Sequence, residues 1–328
     1  MDLGRRTKPR LLRHGLLALA LGAVTLATLP ATQTSARAQR AGGKLVPSAG
    51  ALFGSTIGAD GASTLTMQKL EGMIGRKLDI VQRYYDWTQK FPTTYEHTEM
   101  SGGRIPMVAW RPGDLGSIIN GKYDSLIRTR AKALKGLGHW VFLRWGWEMN
   151  GDWESWGGSA NQPYGPSKFV KAWRHIHDIF SNVGAWNVVW VWAPNWEDVP
   201  QASWNHWTHY YPGDKYVDWV GVDGFNWGST QWWSHWTPIS TIVKGLYRAY
   251  HTRKPIMVAE SGSVEKGGSK AGWIQKAQSL LKTNFPGVAA FLYYNNADRN
   301  QPVKWAVTSS SSALNAYRAM AHDGYWNP

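Results

Sequence analysis

The sequence predicts a single (β/α)8 barrel, and three observations carry that expectation. Eight short apolar runs recur along the chain, helical patterns separate them, and about 290 residues remain after a removable leader, which suits one large barrel. The runs are Ala51–Ser55, Asp79–Tyr85, Ile105–Trp110, Trp140–Trp145, Val188–Ala193, Trp219–Asp223, Pro255–Ala259 and Val288–Tyr294. Most are continuous rather than alternating, as expected of parallel strands covered on both faces. A doubly wound open sheet is the competing architecture, but no glycine-rich phosphate turn follows the first run.

The spacers repeat with helical period. In the third, Ile127, Ala131 and Leu134 share a face, and Gly136 and Gly138 follow as stop signals. In the fourth, Ser167 is the expected N-cap before Phe169, Trp173, Ile176 and Phe180. Ile239, Ile242, Val243, Leu246 and Tyr250 form the sixth stripe; Trp273, Ile274, Ala277 and Leu281 form the seventh. Ser312 to Met320 is the expected closing helix.

The first 38 residues read as a signal peptide. Arg5, Arg6, Lys8, Arg10 and Arg13 precede an apolar run from Gly15 to Leu29, and Ala36-Arg37-Ala38 offers a small-x-small cleavage site. The run is shorter than the ~20 residues a membrane-spanning helix needs. The expectation is therefore a secreted protein with no membrane span after cleavage. Residues 39–48 read as a linker, and residues 49–328 as one catalytic domain.

Composition narrows the function. The chain has no cysteine, which excludes disulfides, thiolate nucleophiles and cysteine-ligated metals. Beyond residue 38, 30 Lys/Arg stand against 21 Asp/Glu, a balance of +9. No block of basic residues interleaved with aromatics points to nucleic acid. Solubility and loose adhesion to an anionic cell wall are the expected uses of this charge, and a monomer is the expected state. Of 22 tryptophans, 16 fall between Trp145 and Trp236. Indole faces stack on the C–H faces of sugar rings, so a cluster of this kind points to a carbohydrate partner, a polysaccharide substrate.

Barrel active sites lie at the C-terminal ends of the strands. Two glutamates end expected strands: Glu148 in RWGWEMNGDW after the fourth, and Glu260 in KPIMVAESGS at the seventh. Glycoside hydrolysis needs such a pair, one acid for the leaving oxygen and one carboxylate for the anomeric carbon; a retaining enzyme holds them roughly 5–5.5 Å apart. The supporting residues expected at the sugar site are Trp110, Arg144, Trp147, Asn150, Asp152, Trp153, Trp156, Trp192, Asp223, Phe225, Trp227 and Tyr293, with Trp232 as a further loop residue. Arg144 is expected to hold a carboxylate by its charge. Trp110, Trp192 and Tyr293, at the ends of strands three, five and eight, are expected to floor the sugar site or to pack in the core. No metal or other cofactor is expected. His206, His209 and His235 lack ligand spacing with a carboxylate, and the GxxxxGK of Gly116 to Lys122 has Tyr123 where a magnesium-binding Ser or Thr would stand.

Five segments resemble glycoside hydrolase family 26, the β-mannanases and related β-glycanases: WEMNGDWESWG (Trp147 to Gly157), VVWVWAPN (Val188 to Asn195), YVDWVGVDGFNWG (Tyr216 to Gly228), MVAESG (Met257 to Gly262) and KWAVTSSSSAL (Lys304 to Leu314). The resemblance runs from about Ala51 to His322. It implies Glu148 as acid/base, Glu260 as nucleophile, and an endo-acting, mannanase-like retaining enzyme. A hydrolase of another β-glycan (β-glucan, xylan or acidic exopolysaccharide) and a non-catalytic carbohydrate-binding barrel are the alternatives. Two positions depart from the family. Trp147 stands where it usually has histidine, and Phe225 where it usually has a tyrosine that bonds the nucleophile. These departures imply slow turnover on plain β-1,4-mannan and a best substrate other than it.

Overall fold

The computed structural model describes residues 43–57, 66–296 and 303–328. The expected leader lies outside these residues. Eight parallel strands close in sequence order into a barrel. They are β1 (Leu52–Thr56), β2 (Ile80–Tyr85), β3 (Ile105–Trp110), β4 (Val141–Trp145), β5 (Val188–Trp192), β6 (Trp219–Asn226), β7 (Ile256–Ser263) and β8 (Val288–Tyr294). Around them lie α1 (Met67–Ile74), α2 (Thr94–Ser101), α3 (Leu115–Ile119), α4 (Asp124–Lys135), α5 (Gly165–Val183), α6 (Ile239–Tyr250), α7 (Lys270–Thr283) and α8 (Ser311–His322). The Gly116–Lys122 segment is α3 and the turn into α4. No helix among the described residues is long and apolar enough to cross a membrane.

The expected helical stripes are buried in α4, α6 and α7. Three local details differ from the sequence expectation. Ser167 lies inside α5, whose N-cap is Tyr164; its hydroxyl donates to the Tyr164 carbonyl instead of capping. The expected alternation of strand and helix breaks between β5 and β6, which are joined by three 3-10 turns and no α-helix. Trp207, Tyr210 and Tyr216 of that connection are buried and fill the layer a helix would otherwise fill. Finally, Leu45 and Val46, in the expected linker, pack against the interior cluster of the barrel. Lys44 accepts a hydrogen bond from the Trp219 indole through its carbonyl.

Successive residues of a strand face opposite ways, so each strand contributes to two cores. Ile80, Met107, Phe142, Val189, Val191, Trp219, Met257 and Leu292 pack together inside the barrel. Their neighbours Val81, Val108, Leu143, Val188, Trp190, Val258 and Phe291 belong to the outer layer beneath the helices. This alternation relocates three expected sugar-site residues. Trp110 shares the outward register of Val108; it stacks on Trp87 at 4.5 Å and donates to the Trp87 carbonyl. Trp192 shares the register of Trp190 and packs against Trp207, Tyr211 and Tyr250. Tyr293 lies against Tyr317 of α8, and its hydroxyl donates to the Trp305 carbonyl. All three are fully buried and belong to the core.

A stability test separates the two assignments. Trp192→Ala should cost ~3–5 kcal/mol, as truncation of a buried aromatic does. It should leave the KM of the folded fraction unchanged. Urea unfolding and steady-state kinetics on the same preparation measure both, and a raised KM with unchanged stability would return Trp192 to the sugar site.

Candidate active site

The inward registers that are apolar deep in the barrel turn polar toward its mouth. Ile80 is followed on the same face of β2 by Gln82 and Tyr84; Phe142 on β4 by Arg144; Trp219 on β6 by Asp223; and β1 ends on Thr56. Glu260 joins them through an irregularity. Val222 pairs with Val258, but the next residue, Asp223, pairs with Glu260, so Ala259 is an extra residue in β7. The β7–β8 register shifts over the same stretch. A bulge of this kind re-aims side chains. Ala259 packs in the interior cluster, and Glu260 also reaches the inward polar side chains. Glu260 therefore lies within β7, not at its end.

Five donor contacts converge on the Glu260 carboxylate. Thr56 Oγ1 donates at 3.1 Å and Gln82 Nε2 at 3.0 Å to one oxygen, which also accepts from the Tyr84 hydroxyl. Both terminal nitrogens of Arg144 lie 3.4 Å from the other oxygen. The donors are themselves fixed: Gln82 donates to Thr56 Oγ1 at 2.9 Å and accepts from Arg144 at 3.2 Å. Burial and the adjacent Glu260 charge push the Tyr84 hydroxyl well above its ordinary range, so it stays protonated as a donor. Arg144 is completely buried and also pairs with Asp223. Burial raises Asp223 well above the usual carboxylate range against the pull of that cation, with Glu148 and Glu260 adding to the rise. One guanidinium thus serves two buried carboxylates.

Glu148 occupies a different setting. It follows β4 in a turn where Gly146 has φ 60° and Glu148 itself has φ 50°. The left-handed conformation costs a non-glycine residue about 1–2 kcal/mol. The Glu148 amide donates to the Ala193 carbonyl at 2.8 Å and anchors the turn to the end of β5. Its side chain is half-buried and accepts from Trp153 Nε1 at 2.7 Å. Burial, and then the negative charge of Glu260, push the Glu148 carboxyl up to about 7, although Arg144 and Trp153 pull the other way. Glu154, in the same loop, is also raised to about 7, chiefly by burial, with Arg111 and Arg144 opposing.

The remaining expected residues divide. Trp153 is half-exposed beside Glu148, Asp152 is exposed in the same loop, and Trp227 packs against Trp305 and Trp233. Trp232 is 95% exposed. Asn150, by contrast, is buried as a loop brace: its amide donates to Asn195 O, Glu197 O and Asp198 Oδ1. Trp156 is also buried, donating to the Trp147 carbonyl at 2.7 Å. Trp147 is nearly buried; its ring meets Tyr84 edge-on at 4.9 Å and lies 5.2 Å from the Arg144 guanidinium carbon. It props the residues that hold Glu260. Phe225 packs against Tyr294 and Trp305 in an apolar cluster.

This placement corrects one sequence expectation. A phenylalanine at position 225 was expected to leave Glu260 without a tyrosine hydroxyl. The hydroxyl is supplied from β2 by Tyr84 instead. Thr56, Gln82 and Tyr84 were not singled out from the sequence. Their signal was present as polar residues in the inward register of apolar strands.

Glu148 makes a testable electrostatic prediction. Its folded pKa lies above the ordinary value of 4.5, so the native state binds this proton more tightly than the unfolded chain does. The stability contributed by this group is then lost as pH rises from about 4.5 through about 7. Relative to the unsubstituted protein, Glu148→Gln should gain stability across that window and stay level above it. Urea midpoints at several pH values check this. A difference that does not change with pH would show that Glu148 titrates as in the unfolded chain.

Comparison with known proteins bears on the family and the fold. The model of glycosyl hydrolase family 26 matches residues 80–267, a span that includes both Glu148 and Glu260. Endoglucanase H of Acetivibrio thermocellus is 35% identical over 286 residues, 85% of this chain and 31% of that protein. Mannan endo-1,4-beta-mannosidase A and B of Caldalkalibacillus mannanilyticus is 28% identical over 174 residues, 51% of this chain and 31% of that protein. The chain thus spans about a third of the length of these relatives. Among solved structures, a family 26 β-mannanase from Bacteroides ovatus superimposes with a TM-score of 0.63 at 16% identity, covering 85% of this chain and 90% of that one. A mannanase from Bacillus subtilis gives 0.61 at 20% identity, covering 84% and 86%. At such identities these two likenesses bear on the fold alone. The family model, which matches more than half of the chain, establishes that this chain belongs to glycosyl hydrolase family 26.

Proposed function

We propose that the chain is a secreted, retaining, endo-acting β-glycanase in which Glu260 is the nucleophile and Glu148 the general acid/base. One observation carries this reading: two glutamates at one barrel mouth are held in opposite electrostatic settings. Glu260 faces five donor contacts, which suit an attacking carboxylate and fix its direction. Glu148, raised to about 7, keeps a proton to give to the leaving oxygen near neutral pH. Such a split of two carboxylates is the requirement of the two-step mechanism. Glu260 attacks the anomeric carbon while Glu148 protonates the departing glycosidic oxygen. Glu148, now ionised, takes a proton from water as that water attacks C1 and releases Glu260.

A β-glucan backbone is the preferred substrate class, and plain β-mannan the second. The glucan reading is supported by the 35% likeness to an endoglucanase and by Trp147, an apolar side chain where the resemblance implies histidine. The mannan reading is supported by the 28% likeness to a mannosidase. Export rests on the leader of residues 1–38.

Six kinetic outcomes are expected. Glu260→Ala should abolish turnover on every substrate, and the first-formed product of the unsubstituted protein should keep the β configuration by NMR. Glu148→Ala should lose polysaccharide hydrolysis but spare the first step on aryl glycosides, whose leaving groups need no acid. The rate of the unsubstituted protein should fall as pH rises past about 7, when Glu148 loses its proton, and Glu148→Gln should lack that limb. Tyr84→Phe should lower kcat by about tenfold to a hundredfold, the kinetic equivalent of one charge-assisted hydrogen bond. Phe225→Tyr should leave kcat unchanged. An α-configured first product would exclude a covalent role for Glu260. Faster turnover in Phe225→Tyr would restore position 225 as the place where a hydroxyl is missing.

A further inference from the structure

A cavity of about 640 Å³ lies on the flank of the barrel, between the first half of α5 and the connection from β5 to β6. On the α5 side, Ser167, Val170, Lys171 and Arg174 line it. Their spacing places them on one helical face. Trp204, His209 and Tyr211 line the other wall, and Pro163 and Tyr164 close the upper end. Because α5 follows β4, that upper end lies on the side of the barrel where Glu148 stands.

Three features of this groove point to a ligand. Tyr164 is 67% exposed and Trp204 37% exposed, so two aromatic side chains present faces to solvent at the cavity. No aspartate or glutamate lines it, whereas Lys171, Arg174 and His209 do. Lys171 and Arg174 form no ion pair among the described residues. The nearby Asp214 is taken up by the Tyr211 hydroxyl and by Arg253. Arg174 is exposed and held in place through Nε, which donates to the Pro212 carbonyl at 2.8 Å, with its guanidinium carbon 5.3 Å from the Tyr216 ring. A second cavity of about 520 Å³, lined by Ser203, His206 and Trp207 of the same connection, carries Glu197 and Asp198 instead. Charge therefore distinguishes two neighbouring hollows.

We propose that the groove between α5 and the β5–β6 connection is a second carbohydrate-binding site, separate from the catalytic mouth, that takes a carboxylate-bearing glycan segment. Aromatic faces stack on sugar rings, and fixed cations pair with uronate carboxylates. The volume lies in the ~300–1,000 Å³ range of ordinary ligand sites. A binding site on the flank would keep the enzyme on an acid-substituted polysaccharide between catalytic events.

Titration calorimetry of the full chain with a galacturonate hexamer tests the assignment, with thermal unfolding of each variant confirming its fold. Saturable binding is expected. Lys171→Ser with Arg174→Ser should weaken it about tenfold, the loss of two ion pairs screened by water on an exposed face. Tyr164→Ala with Trp204→Ala should weaken it by a similar factor. Lys244→Ser with Lys276→Ser, a charge-matched change on α6 and α7, should not. Absence of binding, or equal weakening by the control pair, overturns the site. Mannohexaose binding as tightly as the galacturonate hexamer overturns the anionic ligand class. Binding that the basic pair controls and the aromatic pair does not would mark a bare anion patch, and overturns the carbohydrate assignment.

Discussion

The completely buried guanidinium of Arg144 is the constraint on which the site depends. It sits at the mouth of a barrel whose lower interior is hydrocarbon, with Asp223 and Glu260 both against it. A cation placed there without partners would carry a large desolvation cost, and each buried carboxylate would do the same without the cation. The three groups are therefore tolerable only together. Their arrangement fixes the direction of Glu260 and forces the strands that carry them, β4, β6 and β7, into one relative height. Thr56, Gln82 and Tyr84 complete the set from β1 and β2. The polar side chains of five strands thus interlock, so the setting of Glu260 is fixed by the closure of the barrel itself.

Glu148 is placed by different means. It stands on a strained turn beyond β4, tied to β5 by one backbone hydrogen bond and to Trp153 by another from the indole. Strain of this kind is maintained only when the surroundings determine it. Asn150, buried and bonded to Asn195, Glu197 and Asp198, braces the same turn. A rigidly seated carboxylate faces one carried on a braced loop. Burial raises the proton affinity of the loop carboxylate, which suits the acid/base role proposed for it.

Much of this was legible in the sequence, and the misplaced residues share one physical origin. Eight apolar runs predicted the strands to within a few residues, and strand-end reasoning reached Glu148, Arg144 and Asp223. It erred at Trp110, Trp192 and Tyr293 because terminal position on a strand does not decide facing; the twofold register does. Counting by twos from Met107, Val191 and Leu292 would have placed all three outside. The same count would have found Gln82 and Tyr84 inside. Glu260 is the opposite case, since strict alternation does not set its facing once the bulge at Ala259 intervenes. The β5–β6 connection reads as irregular only once its tryptophans and tyrosines are seen to fill space that a helix fills elsewhere.

In the proposed mechanism Glu260 is the carboxylate that bonds the anomeric carbon, oriented by Arg144 and Tyr84. Its most direct test is to trap the intermediate with a 2-deoxy-2-fluoro-β-glycoside bearing an activated leaving group, and to locate the label by peptide mass spectrometry. A single stoichiometric adduct on the peptide containing Glu260, formed more slowly in Tyr84→Phe, is the predicted result. An adduct on Asp223 or Glu148, or turnover of the reagent with no adduct and an inverted product, would contradict it.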